Sequence, residues 1–188
     1  AVELHPLTAA HVDGLFAVGQ EHKDWQYMPV PAFQVLDDAQ RWVDQALALQ
    51  DRAEHLVYVL VEPTSRQVMG SSRYLNIRER DSVLEIGYSW LGVDFQRSAV
   101  NTEAKYLLLN HAFAMMGARR VELKTDARNL RSQQAIVRIG ATKEGVLRKH
   151  MTVQGGFQRD SVMYSVIDCE WPQVRNVLEH KMQRAASS

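Results

Sequence analysis

The stretch LEIGYSWLGVDFQRSAVNTEAKYLLLNHAFAMM, residues 84–116, decides how this chain folds. It opens as a strand, with Leu84, Ile86 and Tyr88 alternating against Glu85 and Gly87. It closes as a helix, since Ala104, Leu107, Leu108, His111 and Met115 recur at the spacing of one helix face. The loop between them, Gln96-Arg97-Ser98-Ala99-Val100-Asn101, contains no glycine. A helix that begins just after a strand presents unpaired N–H groups and a partial positive charge, which suits a phosphate. Glycine normally lets backbone come close to such an anion. Here the small residues Ser98 and Ala99 keep the approach open, and Asn101 or Thr102 is expected to cap the helix. Glu103 suits the helix dipole but would repel a nearby phosphate. On spacing alone, an ordinary capped helix after a strand explains the junction.

Upstream, VELHPLT reads as a first strand, and Thr8 is placed to cap a helix running to about Glu21. HKDWQYMPVPAF, with two prolines and three aromatics, reads as a loop. A second helix follows, carrying Leu36, Ala39, Val43, Ala46 and Leu47 on one stripe. HLVYVLVE, QVMGSSRYLNI and SVLEIGYSWL read as three strands in meander order. Downstream come a strand in RRVELKTDA, a short helix in NLRSQQAIVRI stopped by Gly140, and a hairpin from EGVLRKHMTV and RDSVMYSVI. Pro172 opens a last amphipathic helix with Trp171, Val174, Leu178 and Met182. This order predicts an α/β (α+β) fold: a central mixed, mostly antiparallel sheet of about seven strands, with helices on both faces. One domain over 1–184 and a loose tail over 185–188 are expected.

The chain has 188 residues, with 22 basic and 22 acidic side chains and no formal net charge. That balance argues against bulk affinity for nucleic acid or an anionic membrane. Cys169 is the single cysteine, so no internal disulfide can form, and it has no histidine motif beside it that would mark a nucleophile. The seven histidines are scattered without metal-ligand spacing, so no metal is expected. Without a leader or a long apolar run, the chain reads as a soluble cytoplasmic protein.

Asn129 and Ser132 add a second clue. Ser132 shares a helix face with Ile136 and Ile139, and a hydroxyl on a buried stripe needs a partner. Either Asn129 caps the helix and Ser132 bonds back to the preceding turn, or Ser132 points into a cleft.

Taken together, EIGYSWL, FQRSAVNTEAKYLLL, VELKTDARNLRSQQAIVRIGATKEGVLRKH and RDSVMYSVI resemble the GNAT superfamily of N-acetyltransferases. The closer resemblance is to its branch related to the ribosomal-protein N-terminal acetyltransferases RimJ and RimL. It spans about residues 2–182 and is strongest over 84–165; Asn129, Ser132, the apolar run and Gly140 match the branch's Asn-x-x-Ser pattern. The superfamily's phosphate loop reads Gln/Arg-x-x-Gly-x-Gly/Ala, whereas this chain has Gln96 with Ala99 and Asn101 at the glycine positions.

The resemblance implies acetyl transfer from acetyl-CoA to an amine, in a protein N-terminus or a small molecule, by direct attack in a ternary complex. It implies a sheet splayed between its fourth and fifth strands. The pantetheine arm would lie along backbone near Trp90 and Leu91 and touch Asn129. The pyrophosphate would lie against Gln96, Arg97, Ser98, Ala99, Val100, Asn101 and Thr102. A strand N–H would face the acetyl carbonyl. Glu85 is the candidate base, against the plain reading of a solvent-facing glutamate, with His150 as a rival. Ser132 would hydrogen-bond the departing thiolate. Trp25, Tyr27 and Met28 would shape the acceptor pocket or simply lid the core, while Trp42 and Tyr164 read as packing residues. An exposed strand or the C-terminal helix could support a homodimer. Two alternatives stand beside this reading. The missing loop glycines suit a catalytically silent member that binds CoA or a partner protein. A nucleic-acid binder has no basic–aromatic stripe to support it.

Overall fold

The structure, a computed structural model, describes residues 1–20 and 25–186. Its strands are β1 (Glu3–Pro6), β2 (Leu56–Val61), β3 (Val68–Arg78), β4 (Val83–Leu91), β5 (Arg120–Asp126), β6 (Thr142–Thr152) and β7 (Gln158–Ile167). Its α-helices are α1 (Val12–Val18), α2 (Leu36–Asp51), α3 (Val100–Ala114), α4 (Leu130–Arg138) and α5 (Trp171–Ala186). The strands form one seven-stranded sheet in the order β1-β2-β3-β4-β5-β7-β6. Every neighbouring pair is antiparallel except β4–β5, which is parallel. The expected fold class and element order are therefore observed.

Period-two alternation on β2 assigns the two faces. Val57, Val59 and Val61 point to one core, which α1 and α2 cover with Leu15, Ala39, Trp42, Val43 and Ala46. Leu56 and Tyr58 lie against the opposite core. That core is built from α3, α4 and α5 with Leu108, Leu109, Ile136, Ile139 and Leu178, packed on Leu84, Ile86, Val121, Leu123 and Val166. Each fully buried aliphatic side chain stabilises the fold by about 1.5–3 kcal/mol. Trp42 and Tyr164 both sit in these cores, as packing residues should.

Three local readings differ. Thr8 starts only a short 3-10 turn, Ala9–His11, and α1 ends at Val18. The His11 imidazole takes the capping contacts, with Nδ1 at 3.1 Å from the Thr8 amide and 3.0 Å from its hydroxyl. Gly19 then closes α1 by donating its N–H to the Leu15 carbonyl at 2.8 Å. Glu21, the expected helix end, and His22 to Asp24 of the following loop lie outside the described residues, as do Ser187 and Ser188 of the tail; Ala185 and Ala186, expected in that tail, instead continue α5.

The buried face of α3 also differs from the expected stripe. Ala104, Lys105, Leu108, Leu109 and Ala112 are buried, and Met115 is 75% exposed. This helix is apolar around much of its circumference, so spacing alone left its inward face ambiguous. Within the described residues, no helix is long and apolar enough to cross a membrane.

Candidate active site

The site begins where the sheet comes apart. β4 and β5 pair only through Val83–Glu85 and Arg120–Glu122. Beyond Glu85 the strands diverge, and the β5-side edge of β4 carries backbone N–H and C=O groups with no strand beside them. A bulge sits at that point. Gly87 to Trp90 on β4 takes three steps where Arg73 to Ser71 on β3 takes two. Tyr88 adopts φ 48°, a left-handed conformation that costs a non-glycine residue about 1–3 kcal/mol. Its ring is held in place by the Arg73 guanidinium, 4.6 Å from the Tyr88 centroid and 4.9 Å from the Trp42 ring.

A cavity of about 540 Å³ runs along this edge, lined by Trp90 and Leu91. Trp25 and Met28 close it from the loop. Trp25 is anchored to Phe33 and Trp90, with ring centroids 5.8 and 5.3 Å away. At the far end, Gln96, Arg97, Ser98 and Asn101 face the α3 N-terminus, and Arg131 and Arg138 approach from α4. Arg131 donates to Gln96 Oε1 at 2.7 Å, and Gln96 Nε2 donates to the Leu91 carbonyl at 3.1 Å. These two bonds tie α4, the loop and the end of β4 together. Arg131 and Arg138 were not singled out from sequence, although their i, i+7 spacing puts both on one helix face.

The glycine-free loop has a physical account. Its left-handed residue is Arg97, with φ 60°. Ala99, at a position where the superfamily has glycine, takes an ordinary φ of −69° as N-cap, and Asn101 lies inside the first helical turn. Neither position needs glycine's conformational freedom. The expected capping by Asn101 or Thr102 does not occur, because both are already helical and no side chain caps α3. Ser98 Oγ instead accepts from the Val100 N–H at 3.3 Å and donates to the Phe95 carbonyl at 2.6 Å. Ala99, Val100 and Thr102 do not line the cavity; Val100 is buried in a core cluster with Val2 and Leu60. Glu103 does not line it either.

A second cavity, of about 400 Å³, shares Asn101, Lys105, Asn129 and Ser132 with the first, so the two are halves of one cleft. Asn129 caps α4: its Oδ1 accepts from the Ser132 N–H at 2.9 Å. The Ser132 hydroxyl does not bond back to the turn; no described residue shares a hydrogen bond with it. Glu85, Tyr27 and Met28 line the second half.

Glu85 is not solvent-facing. It is 2% exposed, and its Oε2 accepts from Asn76 Nδ2 at 2.8 Å and from Lys124 Nζ at 3.0 Å. Its Oε1 accepts nothing from the described residues and lies beside Gly87, which lines the same half of the cleft. His150 is exposed and does not line the cavity. Partial desolvation of its otherwise exposed side chain and the neighbouring Lys124 and Arg159 charges hold its pKa below the ordinary histidine value.

Lys105 was missed from sequence. It is 7% exposed, lies in the wall common to both halves, and donates to the Ser89 and Ser72 hydroxyls, the latter at 3.5 Å. No carboxylate among the described residues pairs with it, and burial alone pulls its pKa down to about 7. The signal was available in the sequence: a cation set on a helix between Ala104 and Leu108.

The geometry defines a cleft that follows an unpaired strand edge and ends in a carboxylate-bearing pocket. Comparison with known proteins agrees. The family described as the Acetyltransferase (GNAT) domain matches residues 1–142. The ribosomal-protein-serine acetyltransferase of Escherichia coli (strain K12) is 24% identical over 173 residues, 90% of this chain and 95% of that one. The crystal structure of a GCN5-related N-acetyltransferase from Brucella melitensis superposes with a TM-score of 0.87 at 30% identity, covering 95% of this chain and 81% of the other. Mycobacterium smegmatis RimJ in complex with CoA-disulfide shares the fold, with a TM-score of 0.83 at 18% identity over 96% of this chain and 88% of that one. The chain belongs to the GNAT family of acetyltransferases, in its RimJ/RimL-like branch, and is an N-acetyltransferase.

Proposed function

We propose that the protein transfers an acetyl group from acetyl-CoA to a primary amine by direct attack in a ternary complex. The observation that carries this is the unpaired β4 edge beyond Glu85, which leads from the α3 N-terminus to a carboxylate with one free oxygen. The pantetheine amides pair with that edge as an added strand would. The diphosphate lies at the first turn of α3, where Val100 N–H makes only a long contact to Ser98 Oγ and no side chain on the N-cap bonds the N–H groups that follow, with Arg97, Arg131 and Arg138 supplying charge. The CoA-disulfide bound to M. smegmatis RimJ supports this assignment by likeness of fold.

The amine attacks the thioester carbonyl, the carbon–sulfur bond breaks, and the amine's surplus proton passes to Glu85 Oε1, directly or through water. A β4 N–H stabilises the tetrahedral oxyanion. The Ser132 hydroxyl hydrogen-bonds the departing thiolate. The acceptor is a protein N-terminus or a small amine, and the ribosomal-protein acceptor in the name of the E. coli relative supports the former.

Two measurements test this. Acetyl-CoA and CoA should each raise the melting temperature by mass action, and dephospho-CoA should do so less if the arginines read the 3′-phosphate. No shift at millimolar acetyl-CoA would sink the proposal. In an amine-dependent CoA-release assay, Glu85→Gln should lower kcat by about 10²–10⁴-fold. Ser132→Ala should lower it by about tenfold, the worth of one hydrogen bond to a charged group. Variants that fold and turn over at the wild-type rate would remove both residues from the chemistry.

A further inference from the structure

The half of the cleft that holds Glu85 carries more positive charge than the protein's own carboxylates balance. Lys124 and Arg159 line it against Glu85 as the one carboxylate, and Glu85 is already paired with Lys124; Lys105, with its pKa pulled down to about 7 by burial, adds only part of a charge near neutral pH. His55, on the same wall, is held below the ordinary histidine range by burial and the Arg73 charge, so it adds no full charge near neutral pH.

Arg159, on β7, is 4% exposed. Its Nε donates to Ser161 Oγ at 3.0 Å, and its Nη1 makes one long contact, 3.4 Å, to the Tyr27 carbonyl. Its Nη2 has no partner among the described residues, and no carboxylate forms an ion pair with it. Asp126 is close enough to act on it electrostatically, but both Asp126 oxygens are engaged by Arg128. A buried guanidinium without a counter-ion is costly, and an anion that binds beside it recovers much of that cost. The loop over the site has a tether other than Arg159. Gln154 Nε2 already lies 2.8–2.9 Å from the carbonyls of Trp25, Met28 and Val30.

We propose that the acceptor is an amine with a carboxylate close by, and that Arg159 receives that carboxylate while the amine faces Glu85. This deepens, and rests on, the reading of the cleft as the site of acetyl transfer. The two charges of such an acceptor match two features of one wall, since Glu85 and Arg159 are near enough to influence each other. Free α-amino acids and peptides with an acidic residue at or next to the N-terminus share this chemistry.

The test is CoA release from acetyl-CoA with matched acceptors: amino acids against their carboxamides, and short peptides with Asp against Asn in the second position. The expected result is a kcat/KM at least tenfold higher for the carboxylate member in one of the two series, which also identifies the source. Arg159→Gln should bring that ratio towards one, and Arg159→Lys should keep part of it. A purely structural Arg159 would lower both members equally and leave the ratio unchanged, which would overturn the proposal. Equal rates for carboxylate and carboxamide acceptors would also overturn it, as would acetyl-CoA binding without turnover of any anionic acceptor. Failure to bind acetyl-CoA at all would instead be failure of the acetyl-transfer reading itself.

Discussion

Lys105→Met should make the protein more stable at pH 6, by about 5 kcal/mol, or about 15 °C in melting temperature for a chain of this size. The expectation follows from burial. Lys105 is enclosed by α3 and the β3–β4 surface, has only serine hydroxyls for company, and has its pKa pulled from 10.5 to about 7 by desolvation. The sign is opposite to that of a paired lysine. Between about pH 7 and the unfolded value, the folded protein binds fewer protons than the unfolded chain, so wild-type stability rises with pH through that window. Below pH 7 the folded state carries the full cost of a buried ammonium. Methionine has similar length and no charge to desolvate. Melting temperatures of both proteins at pH 6 and pH 9.5 check the argument, because their difference isolates this one group. The gap should narrow strongly at pH 9.5, and a gap that stays constant would mean the ammonium is hydrated in the folded state.

The second large effect is expected at Gly70. A Cβ built there would lie 2.1 Å from the Trp90 carbonyl oxygen and 2.9 Å from the Leu91 Cα. Both are backbone atoms of β4, so no side-chain rotation relieves the clash. Gly70 is also the register partner of Leu91, at the end of the strand that lines the first cavity. Gly70→Ala should therefore destabilise by about 3–5 kcal/mol, in the range reserved for strained core changes. If the protein still folds, β4 must move, and the stabilisation by acetyl-CoA should shrink with it. Gly145→Ala is the control, since nothing lies within 4 Å of a Cβ there. A Gly70 variant within 1 kcal/mol of wild type, as judged by denaturant unfolding, would show that this stretch of β4 is softer than its packing implies.

Much of the fold was legible because it depends on local periodicity. The alternation in LVYVLV, the Ile136 and Ile139 spacing, and Gly140 as a helix stop each follow from a few neighbouring residues, and each is observed. The site was less legible because its chemistry comes from residues far apart in sequence. The Glu85–Lys124 pair depends on the register of β4 with β5, which no local pattern specifies. A glutamate alternating with apolar residues reads as solvent-facing unless the cation and amide waiting beneath it are known. The left-handed Tyr88 is invisible for the same reason, since the Arg73 stack that holds it comes from the neighbouring strand. Arg159 became a candidate only when burial, an idle amino group and the cleft wall were seen together. The loop before α3 taught the converse lesson. Matching it to a glycine pattern suggested a defect, yet the backbone angles place the unusual conformation at Arg97, one position the pattern leaves unspecified.

The three-residue pairing of β4 with β5 has a further consequence. Two strands joined at one end and parted at the other make a wedge whose opening is set by backbone, with the Val83–Glu85 rungs as its hinge line. Side chains can be exchanged along such a wedge without changing how wide it opens. Neighbouring strands in a sheet lie about 4.8 Å apart, so an extended chain that paired with the exposed edge would take the place of one missing strand. Topology thus sets the line along which such a chain would lie, while the chemistry at its end is left to the few residues at the tip. On the proposed reading of the cleft, a lineage built on this frame can change what it modifies while keeping the same strand edge for its donor.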